Sequence, residues 1–230
     1  MKYKNIFFDL DHTLWDFDSS ARIAFGEIFL NHKLKDKGIE SVDSFQRAYT
    51  IHNDELWSLY REGKIKKEVL RGLRFRLTLS DFGIVDADLA ERIGHEYISI
   101  SPMRVALFPN TFYILDYLRQ KYPLHIITNG FSEVQFVKMK SSGLDKYFDK
   151  MITSEEVGYK KPDKRVFDFA FEKTGAKPES SIMIGDDPDV DIKGAREVGM
   201  DQVLFDPKQQ FSKNGSSYYI NDLKEIEGFL

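Results

Sequence analysis

The sequence predicts an α/β protein: a parallel sheet with helices on both faces, and an all-helical segment inserted after the first strand. Three observations predict it. From residue 105 onward, short apolar runs alternate with helical stripes, as in a parallel sheet whose crossovers are helices. Residues 17–104 carry only helical periodicity and no buried strand. The first apolar run, Ile6-Phe7-Phe8, ends in Asp9-Leu10-Asp11, and polar residues likewise follow the later runs. Buried carboxylates are costly unless paired or bound to a cation. The first strand is therefore expected to break into a loop over a site.

The insert reads as four helices. Ala21, Ala24, Phe25, Ile28 and Phe29 share one face, with Ser19 or Ser20 as cap. Phe45, Ala48, His52, Leu56 and Leu59 form a second stripe, capped by Asp43. Val69, Leu70, Leu73 and Leu77 form a third, and Leu89, Ile93 and Tyr97 a fourth, with Gly38, Gly63 and Gly83 between them. Residues 16–18 and 102–109 are the expected connections, and candidate hinges for a lid.

Past Pro109, Asn110 is placed to cap a helix through Lys121. Leu124–Ile127 reads as a strand ending in Thr128-Asn129-Gly130, followed by a helix over Glu133–Ser142 that closes at Gly143. Met151–Thr153 is a short strand leading to Lys160-Lys161-Pro162-Asp163 and a helix through Lys173. Ser181–Ile184 breaks at Gly185-Asp186-Asp187-Pro188 into a helix ending near Gly199. Gln202–Phe205 and Tyr218–Ile220 are two more strands, with a last helix from Asn221 or Asp222. Right-handed crossovers place all strand carboxyl ends on one edge, so Asp9, Asp11, Thr128, Asn129 and Asp186 converge there, with Lys161 within reach.

Composition narrows the chemistry. The 33 basic and 37 acidic residues give a net charge of −4, with no basic excess for a nucleic-acid polymer. The absence of cysteine excludes disulfides, thiolate metal sites and cysteine nucleophiles. His12, His32, His52, His95 and His125 do not cluster, so no histidine metal site is expected. No apolar run approaches the ~18 residues of a membrane span. The first strand begins too early to leave room for a signal peptide, so a cytoplasmic location is expected, as a monomer or weak homodimer.

Carboxylates, an ammonium and a hydroxyl in one crevice suit a hard cation and a phosphate. Mg²⁺ takes oxygen ligands and is commonly held by one or two carboxylates plus substrate phosphate, a role that fits Asp9 and Asp186. Lys161 and the metal can offset phosphoryl charge, while Thr128 and backbone N–H groups around Asn129 and Gly130 can hold its oxygens. A carboxylate is a reasonable nucleophile and a second one a proton donor. Crowding is expected to favour protonated Asp11.

In order along the chain, Asp9-Leu10-Asp11-His12-Thr13, Thr128-Asn129-Gly130, Lys161-Pro162-Asp163 and Gly185-Asp186-Asp187 through Asp191 resemble the four motifs of the haloacid dehalogenase superfamily. The likeness is to its phosphatase branch with a helical cap. It implies a Rossmann-like core over residues 1–16 and 105–230 and a cap over 17–104. It also implies Asp9 as nucleophile, Asp11 as general acid/base, and Mg²⁺ bound by Asp9, the Asp11 backbone carbonyl and Asp186. Thr128, Asn129, Gly130 and Lys161 would hold the phosphoryl group, with Asp187 and Asp191 orienting the lysine or metal-bound water. Asp187 stands where many relatives carry serine. The dehalogenases of the superfamily lack the second aspartate of the first motif, so Asp11 argues for phosphate chemistry.

Residues 8–17, Leu56-Trp57, Gly63-Lys64-Ile65 and Arg74-Phe75 resemble, more loosely, the bacterial pyrimidine 5′-nucleotidases. A small phosphate ester, foremost a nucleoside 5′-monophosphate, is the implied substrate. Sugar phosphates, phosphoglycolate, a phosphomutase of the β-phosphoglucomutase type and a non-catalytic phosphate-binding regulator are the alternatives. Trp57 and Arg74 are the candidate substrate-selecting residues of the cap. Arg71, Arg74 and Arg76 also fit a solvated helix face.

Overall fold

The computed structural model describes residues 2–211 and 215–230. The chain divides into two compact units, Met1–Phe17 with Val105–Leu230, and Asp18–Arg104.

The first unit is built on a six-stranded sheet with β1 (Asn5–Phe8), β2 (Leu124–Thr128), β3 (Lys150–Thr153), β4 (Ser181–Gly185), β5 (Asp201–Phe205) and β6 (Tyr218–Ile220). The order is β3-β2-β1-β4-β5-β6, and all pairings are parallel. Parallel pairing puts every strand's carboxyl end on one edge, and β1 lies in the middle with Ile6 opposite both Leu124 and Ile182. Burial on both faces explains why these strands read as continuous apolar runs. On one face Ile6, Phe8, Ile126 and Ile184 meet Ile114, Leu115 and Leu118 of α5 (Thr111–Leu118). On the other, Phe7, Ile127 and Met183 meet Val166, Phe167 and Ala170 of α8 (Lys164–Thr174). Between β2 and β3 lies α6 (Ser132–Ser142), and α7 (Ser154–Val157) follows β3. A π-helical turn over Pro188–Ile192 runs into α9 (Lys193–Glu197).

Two local expectations fail in this unit. Asn110 does not cap α5; it sits at φ 64° and its amide donates to the Asp222 carboxylate at 2.8 and 3.0 Å. The final segment is a 3₁₀ turn over Leu223–Gly228, capped by Asp222, because only Leu223 and Ile226 along it are buried.

The second unit contains α1 (Phe17–Asn31) from Asp18 onward, α2 (Val42–Arg61), α3 (Lys67–Ser80) and α4 (Ala87–Ile100). The first stripe is buried as expected, but α1 starts before Ser19, and Ser20 is a buried residue within it that donates to the Ser101 carbonyl. Ser41 caps α2 in a reciprocal pair with Ser44, while Asp43 pairs with Arg22. The buried face of α2 is Phe45, Tyr49, Asn53, Leu56 and Tyr60, offset from the expected stripe; His52 pairs instead with Asp81 at 2.8 Å. On α3, Val69 is 45% exposed, whereas Arg74, Phe75, Thr78 and Leu79 are buried with Leu70. The physical reason is an aromatic cluster. Phe25, Tyr49, Phe75 and Tyr97 lie with ring centroids 4.7–5.4 Å apart, and the Arg74 guanidinium sits 5.2–5.7 Å from three of these rings.

Candidate active site

The site starts where β1 ends. The Asp9 N–H still donates to the Ile184 carbonyl at 2.8 Å, the last bond of the β1–β4 ladder. The chain then folds back: the N–H groups of Leu14 and Trp15 donate to the Leu10 carbonyl, and His12 takes φ 61°. Leu10, Leu14 and Trp15 are fully buried and anchor this loop. Asp9, Asp11 and Thr13 are thereby held above the sheet edge.

Lys161 carries the electrostatic centre. Its Nζ donates to Asp9 Oδ1 at 2.6 Å, Asp191 Oδ1 at 2.6 Å and the Ile127 carbonyl at 2.7 Å, with 2% of the residue exposed. Three donors meet three acceptors, so a buried ammonium is fully satisfied. Asn129 brings it there: the Asn129 amide donates to the Lys161 carbonyl at 3.0 Å and its oxygen accepts the Lys161 N–H at 2.8 Å.

Oxygens of Asp9, Asp186 and Asp191 lie within 4.8 Å of one another, a set of hard donors that suits a divalent cation. Asp186 also accepts from the buried Thr13 hydroxyl at 3.2 Å. Asp187 is the cap of the π-helical turn, accepting from the Asp189 and Val190 N–H groups at 2.9 and 3.1 Å. Asp187, rather than Asp186, thus serves the turn, which leaves the Asp186 carboxylate to the cluster.

Asp11 stands apart from this cluster. Its carboxylate takes a hydrogen bond from Gln135 Nε2 at 2.8 Å and an ion pair from Lys138, whose Nζ lies 5.2 Å from the Trp15 ring centre. Gln135 and Lys138 are one turn apart on α6, and both are buried. The Asp11 side chain is thus no part of the cation set. Sequence reasoning missed both α6 residues; their i, i+3 spacing after Thr128-Asn129-Gly130 was the available signal.

Two expected phosphate donors are engaged locally. The Gly130 N–H donates to Thr128 Oγ1 at 3.0 Å, and the Asn129 side chain is used on the Lys161 backbone. Trp57 and Arg74 lie in the helical unit. Trp57 packs edge-on against Tyr60, with ring centroids 5.5 Å apart. Arg74 is buried and donates to the Tyr49 hydroxyl at 3.0 Å and to Asn53 Oδ1 at 3.4 Å, so it is no part of a solvated face.

Charge and burial set the protonation states. Burial pushes the Asp9 carboxyl up to about 7 against the pull of Lys161, with Asp191 and Asp11 adding to the rise. Burial raises Asp186 well above the carboxylate range, and Asp191 and Asp9 raise it further. For Lys161, burial acts downward but Asp191 and Asp9 outweigh it, so the ammonium persists. Burial would raise Asp11, yet Lys138 and Gln135 outweigh it and hold the group below its ordinary value. Asp11 is therefore ionised here, against the expectation from crowding. Among the described residues, two ammonium groups, Lys161 and Lys138, pair within this group of four carboxyls, Asp9, Asp11, Asp186 and Asp191. A divalent cation would offset both the excess of negative charge and the burial that raises Asp9 and Asp186.

Residues 3–199 match the haloacid dehalogenase-like hydrolase family. The magnesium-bound structure of the HAD-hydrolase YfnB from Bacillus subtilis superposes with a TM-score of 0.86 at 27% identity, covering 99% of this chain and 98% of that one. The pyrimidine 5′-nucleotidase YjjG of Escherichia coli is 31% identical over 234 residues, with 100% of this chain and 99% of its own covered. A glyceraldehyde 3-phosphate phosphatase of Methanothermobacter thermautotrophicus is 33% identical over 239 residues, with 99% of each covered. Four motifs in order, their meeting at one sheet edge and a family match across most of the length lead to one conclusion: the chain belongs to the haloacid dehalogenase-like hydrolases.

Proposed function

We propose that the protein hydrolyses a small phosphate monoester, a nucleoside 5′-monophosphate first among candidates, through an aspartyl-phosphate on Asp9. One observation carries the reading: Lys161 orients Asp9 while Asp186 and Asp191 stand beside it, and Asp11 is held separately by α6. Asp9 Oδ attacks phosphorus in line with the departing ester oxygen; Asp11, ionised in the free site, first takes up a proton from solvent as the ester binds beside it and then passes it to that oxygen. Asp11 then removes a proton from the water that attacks phosphorus, releasing phosphate and regenerating Asp9. Mg²⁺ held by Asp9, Asp186 and Asp191 would supply positive charge to the phosphoryl oxygens. The Thr128 hydroxyl donates to the same group from the protein side, and the Lys161 ammonium, with its N–H bonds held by Asp9, Asp191 and the Ile127 carbonyl, contributes its charge.

The 31% identity to YjjG across the whole chain supports the nucleotide reading. The glyceraldehyde 3-phosphate phosphatase at 33% makes triose and sugar phosphates the second class. A panel of phosphate esters with Mg²⁺, read as free phosphate, tests the ranking. Phosphate release fastest from pyrimidine nucleotides supports it; isomer formation without phosphate release would make the protein a mutase. Asp9→Asn is expected to lose turnover by more than about 10³-fold while folding normally. Retained activity in that variant would end the covalent route.

A further inference from the structure

Gln135 has no exposed surface, and its side-chain Nε2 donates to two acceptors, Asp11 Oδ2 and Thr128 Oγ1, each at 2.8 Å. A primary amide has two N–H bonds, so both are used. Thr128 Oγ1 accepts a second hydrogen bond from the Gly130 N–H at 3.0 Å. A hydroxyl oxygen has two lone pairs, and here both are taken. What remains is the O–H bond, so Thr128 is left to act as a donor. A phosphoryl oxygen only accepts, and the free capacity of Thr128 matches it.

The surroundings keep this amide in place. A Cβ on residue 130 would overlap the Gln135 carboxamide, so glycine there keeps its space open. The Gln135 Oε1 atom is buried without a partner among the described residues. An unsatisfied buried acceptor is destabilising, a cost that methionine of similar length would avoid. Filling space therefore does not account for a glutamine at this position.

We propose that Gln135 is a positioning residue for phosphoryl transfer: one buried amide sets the Thr128 hydroxyl as a donor to the phosphoryl group and fixes the Asp11 carboxylate beside it. The inference rests on the roles given above to Asp9, Asp11 and Thr128.

The test compares the full-length protein with Gln135→Met, Gly130→Ala, Thr128→Val and the Gln135→Met/Thr128→Val double variant. It measures kcat and KM on p-nitrophenyl phosphate with Mg²⁺, the inhibition constant of inorganic phosphate, and thermal stability. Gln135→Met is expected to weaken phosphate inhibition about 10-fold and lower kcat by about 10–100-fold, as loss of an oriented donor does. Gly130→Ala, which displaces the amide from the other side, is expected to reproduce this. On phosphate inhibition, the double variant is expected to be no weaker than Thr128→Val alone. Wild-type inhibition and kcat in Gln135→Met and Gly130→Ala, or losses that add fully in the double variant, would overturn the proposal. An active Asp9→Asn would instead remove the reading beneath it, a separable outcome.

Discussion

His125 shows how one side chain makes stability depend on pH. It stands on β2, 3% exposed, with its ring 4.9 Å from that of Phe7, its Nε2 3.3 Å from Asn5 Oδ1 and its Nδ1 without a partner among the described residues. Burial lowers its pKa to about 4, while Asp149 pulls weakly the other way. The unfolded imidazole titrates near 6.5, so between those values the unfolded chain binds the extra proton. Stability from this group is complete above about pH 6.5 and is lost as pH falls toward 4, by up to about 3 kcal/mol. The raised Asp9 and Asp186 carboxyls act with the opposite sign over the same range, so the test is the difference between two urea series from pH 7.5 to 4.5: relative to His125→Phe the wild-type protein should lose stability toward low pH, and a difference that does not change with pH would overturn the assignment. Lys161 works by contact instead. Its ammonium is the partner of two buried carboxylates, and breaking such pairs by removing one member costs about 3–5 kcal/mol. Lys161→Met is therefore expected to lose both activity and about that much stability at pH 8 without added metal. A loss under about 1 kcal/mol would mean that the pairs contribute little to the fold.

At the scale of elements, the turn after β4 explains how Asp191 reaches the site. The π-helical turn bends so closely over the strand end that a Cβ on Gly185 would lie 2.5 Å from the Asp191 side chain. Gly185→Ala must push Asp191 away from Lys161, at a cost of about 1–3 kcal/mol for overpacking and with a large fall in kcat. Gly26, inside α1, has nothing within 4 Å of such an atom. Gly26→Ala should stabilise by about 0.5–1 kcal/mol, so the pair of variants separates crowding from helix propensity in one urea series. The contrast also shows what the sequence could carry. Strand positions were legible because Ile6–Phe8, Leu124–Thr128 and Ser181–Gly185 are buried on both faces, leaving no ambiguity of period. The motif residues Asp9 and Asp186 were legible because each follows a strand, and Lys161 because it sits beside Pro162 in the loop before a clear helical stripe. Asp187 as cap was not, and the i, i+3 spacing of Gln135 and Lys138 puts them on one helix face without saying whether that face meets water or a carboxylate. The buried faces of α2 and α3 were misread for a related reason: Tyr49, Asn53 and Arg74 are amphipathic or polar, and only the aromatic cluster around them decides that they go inside.

For the whole molecule, the division into two units makes a prediction about where a cation acts. All three carboxylates of the candidate cation set lie in the sheet unit, two of them following strand ends and the third in the turn beyond β4. Without a cation, burial raises Asp9 and Asp186, and repulsion among carboxyls held near one another raises them further. A ligand that binds only the folded form stabilises it by RT ln(1 + [L]/Kd), about 2.7 kcal/mol at 100 times Kd. For a unit of this size that is roughly a 5–10 °C rise in Tm. Differential scanning calorimetry with Mg²⁺ against EDTA should therefore raise the transition of the sheet unit. A transition of the Asp18–Arg104 unit, if resolved, should move only as far as it melts together with the sheet. Asp186→Asn should abolish the rise, while His125→Phe, at a residue outside the carboxylate set, should keep it. The same Mg²⁺ titration at pH 6 and pH 8 carries a sign: protons compete for Asp9 and Asp186, so the apparent affinity must be weaker at pH 6. Equal affinity at the two pH values, or a rise that survives in Asp186→Asn, would place the cation somewhere other than between these carboxylates.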